Sequence, residues 1–271
     1  MKQTNSYPRI FKNLLLLAIS TTTIISCNKK KDDNPDPGGN GNKTENYIPT
    51  QNHKYNYNII MEDKTTHSFV TWISDVKDSS GLKVYNMRTR LNIDDIEVIT
   101  NTGMVSVNGQ TVTQFDMPAL WRKAIEDMKS QEGVTILEAT PKGFPAYEIF
   151  DNAMVVDSKL TYKGPAEQGQ YIKYVTAAED GDTIELFQKI IYQPGRVAGI
   201  ENITVPGGTF KCSRWTAKSD ARVIMKMNGQ QISSTLTHEE REFWNAYGVG
   251  IVKAISVSAG DSTVTTLQSI E

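Results

Sequence analysis

Two Asn-Gly dipeptides, Asn108-Gly109 and Asn228-Gly229, each lie between runs of strand-forming residues, and they commit the chain to antiparallel pairing. A two-residue type I′ turn needs positive φ at both central positions, which Asn and Gly accept at little cost. Residues 104–107 and 111–115 flank the first dipeptide, and 222–227 and 231–237 flank the second. Strands joined this way run antiparallel, because a parallel pair needs a crossover of a dozen residues or more. More turn chemistry follows at short intervals: Asp78-Ser79-Ser80-Gly81, Glu179-Asp180-Gly181-Asp182, Gly195 and Ala259-Gly260-Asp261.

The runs between these turns read as strands. Tyr55, Tyr57 and Ile59 alternate with Asn56 and Asn58, a period of two. Strands are expected at 69–76, 82–91, 96–99 and 104–107, then at 134–139, 146–150, 159–162 and 171–177. Others are expected at 183–192, 197–205, 250–258 and 262–270, with Gly195 turning the chain between the first two of these. One stretch breaks the pattern. Met117, Leu120, Trp121, Ala124, Ile125 and Met128 form a single helical stripe, with Arg122, Lys123, Glu126 and Asp127 facing away. The helix is expected from Asp116, as its cap, to about Lys129, with Pro118 in the first turn. The stretch Val205-Pro206-Gly207-Gly208-Thr209-Phe210-Lys211-Cys212 reads as a tight turn, with Pro206, Gly207 and Gly208 placed for architecture. The fold class is therefore mainly β (α+β): an antiparallel sheet with one amphipathic helix lying on it.

The N-terminus carries a targeting signal. Lys2, Arg9 and Lys12 precede a short apolar run, residues 14–25, too short to span a bilayer comfortably. Ile24-Ile25-Ser26-Cys27 resembles the bacterial lipobox, which implies cleavage after residue 26 and acylation of Cys27, palmitate included. A lipid so attached anchors the protein to a membrane without a span, since each buried CH₂ contributes about 0.8 kcal/mol. Asn28-Lys29-Lys30-Lys31-Asp32-Asp33 resembles the surface-export signal of Gram-negative lipoproteins, which implies an outer-membrane, cell-surface location. Residues 34–46 are dominated by Pro, Gly and Asn, the composition of a flexible tether. The expected organisation is a signal peptide over 1–26, a lipidated tether over 27–46 and one mostly-β domain over 47–271.

The turn motif Val205-Pro206-Gly207-Gly208-Thr209-Phe210 and the later Tyr247-Gly248-Val249-Gly250-Ile251-Val252-Lys253 together resemble the TapB-like lipoproteins of unknown function. The second motif departs slightly, reading Trp244-Asn245-Ala246-Tyr247-Gly248. The resemblance covers residues 195–271 and implies a strongly curved antiparallel sheet or half-barrel, similar to periplasmic lipoprotein carriers. It implies no activity.

Chemistry is sparsely marked. His238-Glu239-Glu240-Arg241-Glu242 lacks the second histidine of a zincin helix, and three histidines with one thiol beyond the anchor are a poor zinc set. Neither a nucleophile elbow nor a phosphate loop occurs. A formal charge of -2 gives no field for nucleic acid. Cys212 reads as a small buried hydrophobe, unbridged to Cys27. Asp94-Asp95 and Asp180-Gly181-Asp182 read as turn residues before acid pairs or calcium ligands. Trp72, Trp121, Trp215 and Trp244 are the candidate ligand-binding residues, with membership of the core as the alternative. No cofactor is expected. The leading expectation is a non-enzymatic, lipid-anchored envelope protein binding an apolar ligand or an envelope protein. A glycan-active hydrolase with unmarked carboxylates and a purely structural surface lipoprotein are the alternatives.

Overall fold

Alternation along successive hairpins gives each strand one apolar face, and here those faces turn toward a common interior. A computed structural model describes residues 45–93, 96–164, 167–177 and 181–271. The signal segment, Cys27, most of the tether, Asp94-Asp95 and Glu179-Asp180 lie outside the described residues. The strands are β1 Lys54–Met61, β2 Thr66–Ser79, β3 Leu82–Ile93, β4 Ile96–Val107, β5 Gln110–Phe115, β6 Val134–Lys142, β7 Ala146–Asp151 and β8 Lys159–Lys163. They continue as β9 Gln168–Thr176, β10 Thr183–Val205, β11 Gly208–Met227, β12 Gln230–Ala246, β13 Gly250–Ser258 and β14 Asp261–Ile270, and helix α1 spans Ala119–Ser130.

The sheet closes. Strands β1-β2-β3-β4-β5-β7-β8-β10-β11-β12-β13-β14 pair in that order, and β14 returns to β1, forming a twelve-stranded antiparallel barrel. The expected open half-barrel is corrected on this point. What local pattern could not reveal is the seam between β8 and β10, which rests on Gly195↔Leu160 and Arg196↔Lys159. A side chain at Gly195 would lie 2.4 Å from the Thr216 carbonyl oxygen of β11 and 3.1 Å from Leu160 Cδ2 of β8, so a glycine there lets β10 fit between its two neighbours. Gly195 is therefore no turn but part of an irregular stretch inside one strand of 23 residues, with register shifts between Gln193 and Arg196 and between Val197 and Gly199. The expected break at residues 100–103 also proves to lie within β4, and β11 and β12 run on through residues 213–221 and 238–246.

Residues directly opposite in the ladder share a face. Tyr57↔Phe69, Phe69↔Leu91, Leu91↔Val98, Thr113↔Glu148, Glu148↔Tyr162, Trp215↔Phe243, Phe243↔Ala254 and Leu267↔Tyr57 trace the inward face around the ring. Phe69, Leu91, Trp215, Phe243 and Leu267 are buried, whereas Arg88 and Arg90 on the outer face of β3 are exposed. Charged side chains on that wall are the reverse of a lipid-facing barrel surface.

Beyond the seam the first half of β10 leaves the barrel. There β6, β9, β10, β11 and β12 form a wing, β9 pairing with β10 over residues 183–190 and β6 with β9. Helix α1 covers one wing face, with Ile125 and Met128 packed on Ile172, Leu186 and Val223. The helix starts two residues later than expected. Pro118 is its flanking residue and no side chain caps it, so Asp116 has no capping role.

The type I′ geometry is present at both Asn-Gly pairs: φ is 50° and 73° at Asn108 and Gly109, and 49° and 81° at Asn228 and Gly229. At the tip of the β10–β11 hairpin Gly208 has φ 133°, while Gly207 does a different job. Its N–H donates to the Leu267 carbonyl at 3.2 Å, and a Cβ there would stand 2.8 Å from Leu267 Cγ. The tip thus docks on β14, and Val205 and Cys212 join Tyr55, Tyr57 and Phe69 in one apolar cluster.

Candidate functional site

The barrel interior is where half-buried polar chemistry collects. Glu148 on β7, Tyr162 on β8 and Arg241 on β12 face one another across it. Tyr162 Oη donates to Glu148 Oε1 at 3.1 Å, and Arg241 Nη2 donates to Tyr162 Oη at 2.8 Å. Tyr192 stacks on Tyr162 with ring centroids 4.9 Å apart, and the Arg241 guanidinium lies 5.5 Å from the Tyr192 ring centroid. Glu239, two residues from Arg241 and so on the same face, accepts from Ser219 Oγ at 2.8 Å and from Ser256 Oγ. One cation is thereby held among two carboxylates and two phenols.

Burial pushes the Glu148 carboxyl up from its ordinary range, against the opposing pull of Arg241 and the Tyr162 hydrogen bond. Burial likewise raises Tyr162 well above a free phenol. Burial alone would lower Arg241, but Tyr162, Glu148 and Glu239 outweigh it, so its charge is fixed. The cavity beside this cluster has a volume of about 40 Å³ and is bordered by Glu148, Phe150, Arg241, Phe243, Ser256 and Thr265, among others. A water needs roughly 10–15 Å³ on the same measure, so the space suits a few waters and is far below the roughly 300–1,000 Å³ of a small-molecule site. Arg241 Nε has no protein partner and is the natural hydrogen-bond donor to such a water.

One barrel mouth is stoppered by the chain's own N-terminal segment. Tyr47 is 2% exposed. Its ring meets Phe150, Trp215 and Tyr247 at centroid distances of 6.2, 6.0 and 5.1 Å. Its hydroxyl and that of Ser213 share a hydrogen bond of 2.8 Å, and its N–H donates to Thr111 Oγ1 at 3.3 Å. Backbone bonds from Gly248 N to Asn46 O and from Thr50 N to Gly248 O clamp the segment on either side. Burial raises the Tyr47 phenol far enough to keep it neutral throughout the physiological range.

The four tryptophans named from sequence are not brought together. Trp215 is fully buried in the barrel, stacked near Phe243 and edge-on to Phe150. Trp244, the next residue along β12 from Phe243, faces the other way; its Nε1 donates to Glu201 at 2.9 Å and Lys253 covers its ring. Trp121 is 1% exposed under α1 against Phe144. Trp72 is half-buried on the outer face of β2, opposite Arg88. Cys212 is fully buried and unbridged, its thiol pushed up to about 12 by burial. Among the described residues no group of His, Cys, Asp and Glu is arranged to hold a metal ion. Sequence reasoning passed over Glu148, Arg241 and Tyr47. The one available signal was the alternation in His238-Glu239-Glu240-Arg241, which on a strand puts Glu239 and Arg241 on the apolar side with Phe243.

No protein-family model matches the sequence, and no curated protein matches it. Two solved structures align with it: an exported protein with YmcC-like fold from Bacteroides fragilis, 11% identical, and a lipoprotein from Parabacteroides distasonis, 14% identical. In each case the TM-score is 0.43, and the alignment covers 83% of this chain and 98% of the other.

Proposed function

We propose that the chain is a lipid-anchored protein of the bacterial outer membrane that works without catalysis, by carrying a binding surface for an envelope partner on the outside of a closed barrel. The lipobox-like Ile24-Ile25-Ser26-Cys27 and the charged run from Lys29 to Asp33 support the location, as does the TapB-like pair of motifs. The observation that carries the rest is the filled and stoppered interior. An apolar ligand needs a lumen, and the lumen here is occupied by Trp215, Phe150, Phe243 and Tyr47. A saccharide hydrolase needs its substrate to reach a raised carboxyl, and Glu148 sits beside about 40 Å³ of space. Both readings therefore give way to recognition on the outer surface.

Two measurements test the reading together. Cys27→Ala is expected to release the protein from membranes through a carbonate wash; retention would overturn the anchor. Native mass spectrometry of wild-type protein from its own cells is expected to give a mass explained by the chain and its covalent acyl groups. A stoichiometric non-covalent lipid would restore the lumen as a binding site and overturn the partner-binding reading.

A further inference from the structure

The wing face turned away from α1 carries a groove of its own. Tyr171↔Phe187↔Ile224 run across β9, β10 and β11 on that face, and Lys142↔Gly169↔Lys189↔Arg222 form the parallel row beside them. The groove has a volume of about 470 Å³ and is bordered by Lys142, Glu167, Gly169, Tyr171, Phe187 and Lys189. Its floor is open because of Gly169: a Cβ there would stand 1.9 Å from the Gln188 carbonyl oxygen, so the close strand approach permits no side chain.

Two features give this groove a chemical character. The Tyr171 and Phe187 rings form a tilted pair with centroids 4.7 Å apart. Lys142 Nζ lies 5.4 Å from the Tyr171 centroid and Lys226 Nζ 5.1 Å from that of Phe187. Lys189 is paired with Glu167 at 2.7 Å and Lys173 with Glu185 at 4.0 Å, while Lys142, Lys226 and Arg222 have no carboxylate partner among the described residues. With Glu138 also on this face, the cations Lys142, Lys173, Lys189, Arg222 and Lys226 exceed the carboxylates Glu138, Glu167 and Glu185 where β9 pairs with β10, and Asp220, one step further along β11, is taken up by Gln193 and His238.

We propose that the outer groove of the wing, formed by Tyr171, Phe187, Lys142 and Lys189 around Gly169, with Lys226 against the Phe187 ring, binds an acidic saccharide. A pyranose ring offers an apolar C–H face to an aromatic pair and carries its acid groups at the rim, where ammonium groups give charge-assisted hydrogen bonds. The volume lies within the range of small-ligand sites. The inference rests on the outer-surface reading above and names the chemistry of its partner.

The test uses detergent-solubilised full-length protein, immobilised, with four polymers as probes: polygalacturonate, heparin, neutral dextran and polyglutamate. Polygalacturonate or heparin is expected to bind, with affinity falling at least fivefold between 50 and 300 mM salt, while dextran does not bind and polyglutamate binds at least tenfold more weakly. Phe187→Ala is expected to lose at least tenfold, and Lys142→Gln with Lys226→Gln to flatten the salt dependence, each at wild-type melting temperature. Should Phe187→Ala prove unstable, the double lysine variant alone decides. Absence of binding to both acidic polysaccharides overturns the proposal, as does equal binding of polyglutamate, which would mean charge without sugar recognition. Neither result touches the membrane-release and native-mass measurements, so failure here and failure of the anchored reading are separate.

Discussion

Removing the stopper is the sharpest perturbation of this barrel. Tyr47→Ala deletes a ring that is almost wholly buried and meets Phe150, Trp215 and Tyr247. Truncating a buried aromatic to alanine costs about 3–5 kcal/mol, the cavity left behind included. The loss here lies toward the upper part of that range, because Ser213 Oγ loses its hydroxyl partner in a fully buried position. Tyr47→Phe keeps the ring and removes only that hydrogen bond, at about 1 kcal/mol. For a domain of this size 1 kcal/mol moves the melting temperature by roughly 2–4 °C. Tyr47→Ala should then melt roughly 6–20 °C below wild type and Tyr47→Phe roughly 2–4 °C below. Circular dichroism on the detergent-solubilised chain measures both, and a double-mutant cycle with Ser213→Ala should return a coupling of about 1 kcal/mol. If Tyr47→Ala melts within about 2 °C of wild type, the mouth is held by something other than this residue and the argument for a sealed interior fails.

Gly207 and Gly208 should fail for different reasons. Gly208→Ala strains a backbone at φ 133°, at about 1–3 kcal/mol, whereas Gly207→Ala drives a methyl into Leu267. In a Leu267→Ala background the Gly207→Ala cost should shrink and the Gly208→Ala cost should persist; equal rescue of both would contradict the assignment. Glu148 should make stability depend on pH. Its folded-state carboxyl is raised, so the folded state binds the proton more tightly, and stability falls as pH climbs from its ordinary value of 4.5 to the raised folded one. Denaturant titrations from pH 4 to 8 should show that decline in wild type and lose it in Glu148→Gln. A parallel pH profile in the two proteins would remove Glu148 from the account.

How much of this was legible beforehand depends on sequence distance. Asn108-Gly109 and Asn228-Gly229 specify their turns within two residues, so both hairpins could be read directly. The stripe from Met117 to Met128 specified a helix for the same reason, although its start is set by Pro118 and not by the polar Asp116. Closure was invisible, because it depends on Gly195 admitting Leu160 across the seam, and a glycine beside a proline reads equally well as a turn. The interior cluster joins residues up to 93 positions apart, Glu148 and Arg241, and nothing local distinguishes an inward carboxylate on a short strand from an outward one. The tryptophans drew notice by residue type, whereas the groove on the wing is built from Tyr, Phe and Lys at ordinary strand spacing and has no signature short of the assembled sheet.

Strands β10, β11 and β12 belong to two bodies at once, and this has a mechanical meaning. No linker separates the wing from the barrel: the β10–β11 ladder runs from Ile184↔Met227 to Val205↔Gly208, interrupted only by register shifts beside Pro194 and Val197. A pull applied at the wing is therefore borne in shear by many backbone hydrogen bonds in parallel and delivered to the far end of the β10–β11 ladder. The shifts, placed where β10 exchanges β9 for β8 as its neighbour, are the positions at which such a splint can twist without breaking. A protein built this way passes a load applied to its wing into its barrel with little give between the two.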